Sequence, residues 1–266
     1  MSAADWAGKV VIITGAASGM GRAHAIHFAG LGCRVVAQDI APSGLAETVA
    51  RVEARGGGID GHVFDIAEVA AIRTMVDRTL ERHGRIDVLV NSAGIITDMK
   101  PLTELSAAAL QLHFAVNTLG VWATMRHAAP HMAGGSIVNV ASGAGLIGLG
   151  GYGAYSASKA AVISLTQTAA VDLADRRIRV NCVCPGSVDT PMLRNQPNAD
   201  EEIAVLGTAA TVGRVGRPEE IAAVIHFLAA DDCGFVNGQA IVADGGVLAL
   251  YSNKLFETLV AATAKR

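Results

Sequence analysis

Val10-Val11-Ile12-Ile13-Thr14 runs straight into Gly15-Ala16-Ala17-Ser18-Gly19-Met20-Gly21, and this stretch decides the fold. A continuous run of β-branched residues without polar alternation reads as a strand buried on both faces. The glycines then let the backbone turn tightly and approach a pyrophosphate. The helix that follows aims its N–H groups and the positive end of its dipole at the phosphates. The spacing is G-x-x-x-G-x-G, and no Gly-Lys-Ser/Thr follows, which excludes a nucleotide-hydrolysing P-loop. A glycine loop alone is common at strand-to-helix turns; its place after the first strand of an alternating chain favours cofactor binding.

Outward from this loop, strand-like and helix-like segments alternate. The composition predicts strands at Val10–Thr14, Arg34–Asp39, His62–Asp65, Asp87–Asn91, Ser136–Val140, Ile178–Cys184 and Gln239–Ala243. Helices are predicted at Gly21–Gly30, Leu45–Arg55, Val69–His83, Ser106–His127, Tyr155–Ala174 and Pro218–Ala229, the last opened by a proline whose missing N–H costs nothing there. Such alternation predicts an α/β fold: one doubly wound Rossmann-type domain over residues 1–266, with a central seven-stranded parallel sheet and helices on both faces. No linker, repeat or low-complexity block interrupts it. Ligands in such sheets bind beyond the carboxyl ends of the strands, so the chemistry is expected at strand ends.

Composition narrows the function. Of 266 residues, 51% are hydrophobic and 17% charged, enough for a large core and too apolar for disorder. Mean hydropathy is +0.40, yet no apolar run approaches the roughly 20 residues a membrane helix needs. A formal net charge of −3 supplies no basic field for nucleic acid or anionic lipid. Met1 to Lys9 lacks the pattern of a signal peptide, so a cytoplasmic location is expected. Cys33, Cys182, Cys184 and Cys233 read as buried thiols rather than a disulfide framework or metal site. His127 and His131 are four apart without a third ligand, and no metal is expected.

Three further motifs carry chemistry. Asp39 ends the second strand, 18 residues beyond Gly21. A carboxylate there accepts hydrogen bonds from the adenosine ribose hydroxyls and repels a 2′-phosphate. Its neighbours Ala16, Ala17, Ser18 and Ile40 are uncharged, so NAD rather than NADP is expected. Tyr155 and Lys159 stand four apart on one helix face. An ammonium beside a phenol, together with a positive nicotinamide, favours phenolate and makes a general acid/base near neutrality. Ser142, 13 residues earlier at the end of a strand, and Asn117, in an apolar helix where its amide needs partners, are candidate companions. Asn91-Ser92-Ala93-Gly94 ends the fourth strand and is expected to line the cofactor cleft.

Taken together these motifs resemble the short-chain dehydrogenases/reductases, from about Gly8 to Gly246. The resemblance rests on Thr14-Gly15-x-x-x-Gly19-x-Gly21, Asn91-Ser92-Ala93-Gly94, Asn117, Ser142, Tyr155-x-x-x-Lys159, Pro185-Gly186 and Asp244-Gly245-Gly246. One departure is Ser92, where the family usually has asparagine; a local change in hydrogen bonding is expected, not loss of activity. The resemblance implies that Tyr155 exchanges a proton with the substrate oxygen, Lys159 holds the nicotinamide ribose, Ser142 orients the substrate and Asn117 positions a relay water. It also implies cofactor contacts at Gly15, Ser18, Gly19, Met20, Gly21, Asp39, Asp65, Ile66, Asn91, Ala93, Gly94, Pro185, Gly186, Val188 and Thr190. A homotetramer is implied as well.

The expected activity is NAD-dependent hydride transfer to or from a secondary alcohol or ketone. Alternatives are a 3-oxoacyl thioester reductase of the same family and a catalytically silent NAD-binding sensor; sensors usually lose the tyrosine or lysine, and both are present. Tyr152, seven before Lys159, is expected at the pocket wall. The substrate walls are expected from Gly143 to Gly153, with Leu146, Ile147 and Leu149, and from a substrate-side loop region at about 187–217, with Met192, Leu193, Val205 and Leu206. Pro191 and Pro197 suggest that the second wall is a loop. Arg194 is the only basic residue among these wall positions, so a neutral, largely apolar small molecule is expected. The tail from Val247 to Arg266 is expected at a subunit interface or a neighbouring active site.

Overall fold

The computed structural model describes residues 5–195 and 199–249. Seven parallel strands form one sheet in the order β3-β2-β1-β4-β5-β6-β7. They are β1 (Val10–Thr14), β2 (Arg34–Asp39), β3 (Gly58–Val63), β4 (Val88–Asn91), β5 (Gly135–Val140), β6 (Ile178–Pro185) and β7 (Ala240–Ala243). Every side chain of β1 is buried, and its residues alternate between two cores. Val11 and Ile13 join Phe28 of α1 (Gly19–Gly30), Leu45 of α2 (Pro42–Glu53) and Ile225 of α9 (Pro218–Ala229). Val10 and Ile12 join Met75 of α3 (Val69–His83), Val121 of α5 (Gly120–Ala128) and Val162 of α6 (Gly153–Asp172). The continuous apolar run is thus the mark of a strand covered on both sides. All four cysteines are free and buried in these layers.

The chain winds outward from β1 to β3, then crosses back to lay β4 on the other side of β1. The crevice opened by this reversal, at the carboxyl ends of β1 and β4, is where such sheets take ligands.

Three expectations need correction. The third strand is Gly58–Val63, not His62–Asp65. Its Gly- and Asp-containing sequence has little strand character, and pairing along all of β2 from Arg34↔Gly58 to Asp39↔Val63 overrides that. The helix expected at Ser106–His127 is α4 (Ala107–His113), a π-helical turn at Phe114–Leu119, and then α5. The 187–217 region is not simply loop. Pro191 starts the short helix α7 (Pro191–Arg194), where proline suits the first turn, and α8 (Ala199–Ala209) follows. Pro197 and the tail beyond residue 249 lie outside the described residues.

Candidate active site

The glycine loop is built by backbone contact. A Cβ on Gly21 would lie 2.0 Å from the Gly15 carbonyl oxygen, and one on Gly15 would lie 2.7 Å from Ala93 Cα. Helix α1 therefore sits directly on the loop, and the loop on the end of β4. Ser18, the residue before α1, makes no side-chain cap. That leaves the first N–H groups of a twelve-residue helix for a ligand. Thr14 Oγ1 accepts from the N–H groups of Ser92 and Ala93, both at 3.1 Å, and so ties the loop to the β4 end.

Asp39 stands at the rim. Its two oxygens accept from Ala17 N at 2.8 Å and Ala41 N at 2.9 Å, keeping a carboxylate beside the loop with lone pairs to spare. Arg22, which the sequence reading did not use, braces the same corner. Its guanidinium donates to Thr48 Oγ1 at 3.0 Å, Gly44 O at 3.2 Å, Glu47 at 2.8 Å and the Ala17 carbonyl. Asp65 caps its own turn through Ala67 N at 2.9 Å, and Phe64 N bonds to Asp39 O at 3.1 Å, bringing the ends of β2 and β3 together. Ile66 is buried against Gly120. Across the crevice, Thr190 lies over Gly19, with Cβ 3.2 Å from where a Gly19 Cβ would sit. Gly186 passes so close to Asp244 that a Cβ would meet it at 2.8 Å. A backbone cradle, an uncapped helix start and a rim carboxylate together fit a dinucleotide.

Tyr155, Ser142 and Lys159 converge at one end of this crevice. Ser142 caps the turn after β5 by accepting from Ala144 N at 3.1 Å, and it lines the same cavity as Tyr155. Burial pushes the Tyr155 phenol above its usual value, the neighbouring Ser142 side chain opposes that, and Tyr152 adds to the rise. The protein's own groups therefore hold a neutral phenol, the reverse of the direction expected from a lysine neighbour. Lys159 is buried, and its Nζ donates to Val140 O at 2.8 Å and lies 5.9 Å from the Tyr155 ring centroid. Desolvation lowers its ammonium to about 8.

Asn117 is fully buried and holds two elements together. Its Oδ1 accepts from Ile95 N at 2.8 Å, while its Nδ2 donates to Ile95 O and Ser158 Oγ, both at 3.0 Å. Both amide hydrogens are spent, and the side chain braces the β4 loop against α6. Asn91 likewise turns its amide away from the cleft: it donates to Asn139 Oδ1 at 2.8 Å and accepts from Thr124 at 2.6 Å. Asn139 continues to Thr166 at 3.0 Å. This buried polar chain links α5, β4, β5 and α6, and only Asn91 stood out in the sequence. The Ser92 hydroxyl is buried with no hydrogen-bond partner among the described residues.

A cavity of about 390 Å³ opens beside Ser142 and Tyr155. Ile147, Leu149, Met192, Leu193 and Leu206 line it as expected, whereas Leu146 and Val205 do not. Ile96, Met99, Val247 and Leu248 also line it; the first two directly follow the Asn91–Gly94 motif, the only signal that placed them near. His113, fully buried, pins this wall. Its Nδ1 bonds Ala109 O at 2.7 Å, its Nε2 accepts from Thr97 N at 3.2 Å, and its ring meets Tyr155 edge-on at 6.4 Å. Arg194 points away from the cavity to Asp189, at 2.6 and 2.8 Å, and to Asp200 at 3.3 Å.

No helix among the described residues is long and apolar enough to cross a membrane. A family model described as enoyl-(acyl carrier protein) reductase matches residues 15–248. A 3-oxoacyl-[acyl-carrier-protein] reductase of Thermotoga maritima is 42% identical over 91% of this chain and 98% of its own length. A cis-4-hydroxycyclohexanecarboxylate dehydrogenase of Sinomonas cyclohexanicum is 40% identical over 92% and 98%. The crystal structure of a levodione reductase superposes with a TM-score of 0.85 at 34% identity, covering 91% of this chain and 98% of that one. With the glycine cradle, the Ser142–Tyr155–Lys159 cluster and these relatives agreeing along nearly the whole length, the chain belongs to the short-chain dehydrogenase/reductase family of oxidoreductases.

Proposed function

We propose that this enzyme interconverts a neutral, largely apolar secondary alcohol and its ketone, using NAD. The observation that carries the reading is that Ser142 and Tyr155 line one cavity whose lining, among the described residues, includes no Lys or Arg. In ketone reduction, the Tyr155 hydroxyl donates its proton to the substrate oxygen while Ser142 orients that oxygen. In oxidation, Tyr155 accepts the proton. The bound nicotinamide supplies or accepts the hydride, and its positive form favours the tyrosinate that the protein alone disfavours. Gly15, Ser18, Gly19, Met20 and Gly21 would hold the pyrophosphate, Asp39 the adenosine ribose, Asp65 and Ile66 the adenine edge. Ala93, Gly94 and Lys159 would face the nicotinamide ribose, and Pro185, Gly186, Val188 and Thr190 the nicotinamide.

The preference for NAD over NADP rests on Asp39. The guanidinium of Arg22, at the same corner, is committed to backbone carbonyls and Glu47, which leaves it little freedom to meet a 2′-phosphate. The free thiols suit a reducing, cytoplasmic setting. Exposed Phe114, Leu119, Trp122, Phe227 and Phe235 favour a homo-oligomer, a tetramer by family resemblance, with small molecules rather than nucleic acid or membrane as its other partners; sedimentation velocity checks this.

The decisive experiment follows NADH formation over a panel of secondary alcohols. Turnover is expected with neutral cyclic alcohols, and Tyr155→Phe is expected to lower it by about two orders of magnitude or more while NAD still binds. Far better turnover of phosphorylated or multiply anionic substrates would overturn the reading. The Thermotoga relative favours a second reading, reduction of a 3-oxoacyl thioester, which acetoacetyl-CoA with NADH and NADPH tests directly.

A further inference from the structure

After β7 the chain doubles back onto the cavity. Asp244, the residue after the strand, holds this turn with both oxygens: Oδ1 accepts from Gly246 N and Oδ2 from Leu248 N, each at 2.7 Å. Gly245 and Gly246 take φ of 65° and 86°, and a Cβ on Gly246 would collide with Thr211 Oγ1, so the turn needs glycine there. Thr211 Oγ1 and Val212 N both donate to Gly245 O, at 2.8 and 3.2 Å, which fastens the turn to the loop after α8. On its other side Gly186 packs directly on Asp244. These contacts fix the position of Leu248. Its Cδ1 lies 3.8 Å from where a Gly143 Cβ would sit, and Gly143 follows Ser142 in the chain. Leu248 is half-buried and lines the cavity. Ile147, Leu149 and Met192 of the same lining are exposed and form its solvent-side rim. The cavity is therefore narrow beside Ser142 and open further out.

We propose that Leu248, held in place by Asp244, is a specificity-determining residue that excludes substituents beside the reacting carbon, so that the preferred substrates are ring alcohols and ketones unsubstituted at the adjacent position and free to carry apolar groups on the far side of the ring. The proposal rests on the cavity being the substrate site of the alcohol/ketone reaction. In that reaction Ser142 sets where the reacting oxygen sits, so the wall one residue along the chain sets how much bulk the neighbouring carbons can carry. A packed wall takes an added methyl only by displacing side chains or backbone. Here the left-handed glycines and the hydrogen bonds on both sides of the turn leave Leu248 little room to retreat. At the rim the balance is reversed, because an apolar substituent there covers the exposed Ile147 and Leu149 and removes apolar surface from water.

The test compares cyclohexanol, 2-methylcyclohexanol and 4-methylcyclohexanol as oxidation substrates with NAD, the methyl alcohols as separate cis and trans isomers. In the unmodified enzyme kcat/KM for both 2-methyl isomers is expected to lie about tenfold or more below that for cyclohexanol, with the better 4-methyl isomer level with it or above. Leu248→Ala is expected to raise the 2-methyl-to-cyclohexanol ratio about tenfold while the 4-methyl ratio stays within about threefold. Leu248→Met, similar in volume, is expected to keep the parent's order. Asp244→Asn retains one acceptor oxygen and turns a donor toward an N–H, and is expected to move the 2-methyl ratio in the same direction by a smaller factor. Equal 2-methyl and 4-methyl ratios in the parent, or a 2-methyl ratio that either Leu248→Ala or Asp244→Asn leaves unchanged, would overturn the proposal. If the enzyme oxidises none of these alcohols, the activity reading itself fails. Leu248 is then judged by calorimetry of 2-methyl- and 4-methylcyclohexanone binding to NADH-loaded protein, where an alanine variant with the parent's ratio of affinities, or no binding of either ketone, would refute its role.

Discussion

The Asp39 carboxylate fixes the turn through Ala17 and Ala41, and in the proposed binding mode it would set the sign of charge beside the adenosine ribose. Asp39→Ser is therefore expected to weaken NAD and relieve repulsion of NADP together, lowering the NAD-to-NADP ratio of kcat/KM by at least about tenfold; NADP preference in the parent enzyme would contradict this. Lys159 shows the cost of a functional charge. Its folded value is about 8 against 10.5 in a free chain. Below 8 the ammonium is present in both states, and its burial opposes folding by on the order of 3 kcal/mol. Between 8 and 10.5 the folded protein sheds the proton first and the cost fades; above 10.5 it is gone. Lys159→Met is thus expected to be inactive yet to melt no lower than the parent at pH 7, an advantage that narrows as pH rises through 8. A variant that melts well below the parent at pH 7 would show that the bond to Val140 outweighs the buried charge.

Helices α7 and α8 contribute to the cavity wall, and Arg194 ties α7 to the segment after β6 through Asp189 and to α8 through Asp200. Exposed ion pairs contribute about 0–1 kcal/mol, too little to matter for folding but enough to bias the position of a wall. Arg194→Ala is expected to raise substrate KM about fivefold, leaving NAD affinity and global stability nearly unchanged; steady-state kinetics beside a denaturant melt would check it. These elements also show where the sequence was legible. The strands of the interior were readable because Val and Ile filled both faces, and Val69–His83 and Pro218–Ala229 emerged with the expected bounds because their apolar periodicity and flanking residues agreed. Edge strand β3 was not readable, since pairing rather than composition defines it. The π turn at Asn117 was not readable either: it depends on an amide reaching Ile95 and Ser158, both distant in sequence. At the site, Tyr155, Lys159 and Ser142 were legible from spacing. His113, Arg22 and the Asn139–Thr166 link were not, because each works through contacts that only the assembled layers create.

As a whole, the molecule is two helical layers clamped on one sheet, with the cofactor cradle spanning the reversal between β1 and β4. A ligand gripping both halves stabilises both. NAD at about one hundred times its dissociation constant is expected to add about 2.7 kcal/mol, a rise in Tm of roughly 5–10 °C for a chain of this size; NADP at the same concentration is expected to add less, and a thermal melt without any NAD-dependent shift would contradict the cradle. The reversal has another consequence, for how the chain comes into being. Strands β1 to β3 emerge first and pair among themselves, but the free edge of β1 faces nothing until β4 arrives some fifty residues after β2 has ended. Throughout that interval the most apolar strand of the protein offers an open ladder of N–H and C=O groups. None of its neighbours is a hairpin partner able to close it quickly, and parallel pairing must wait for long loops to order. Nascent or refolding chains are therefore most vulnerable to association at one known place, the β4 side of β1, which stays open until Val88–Asn91 arrives to pair with Val11–Thr14.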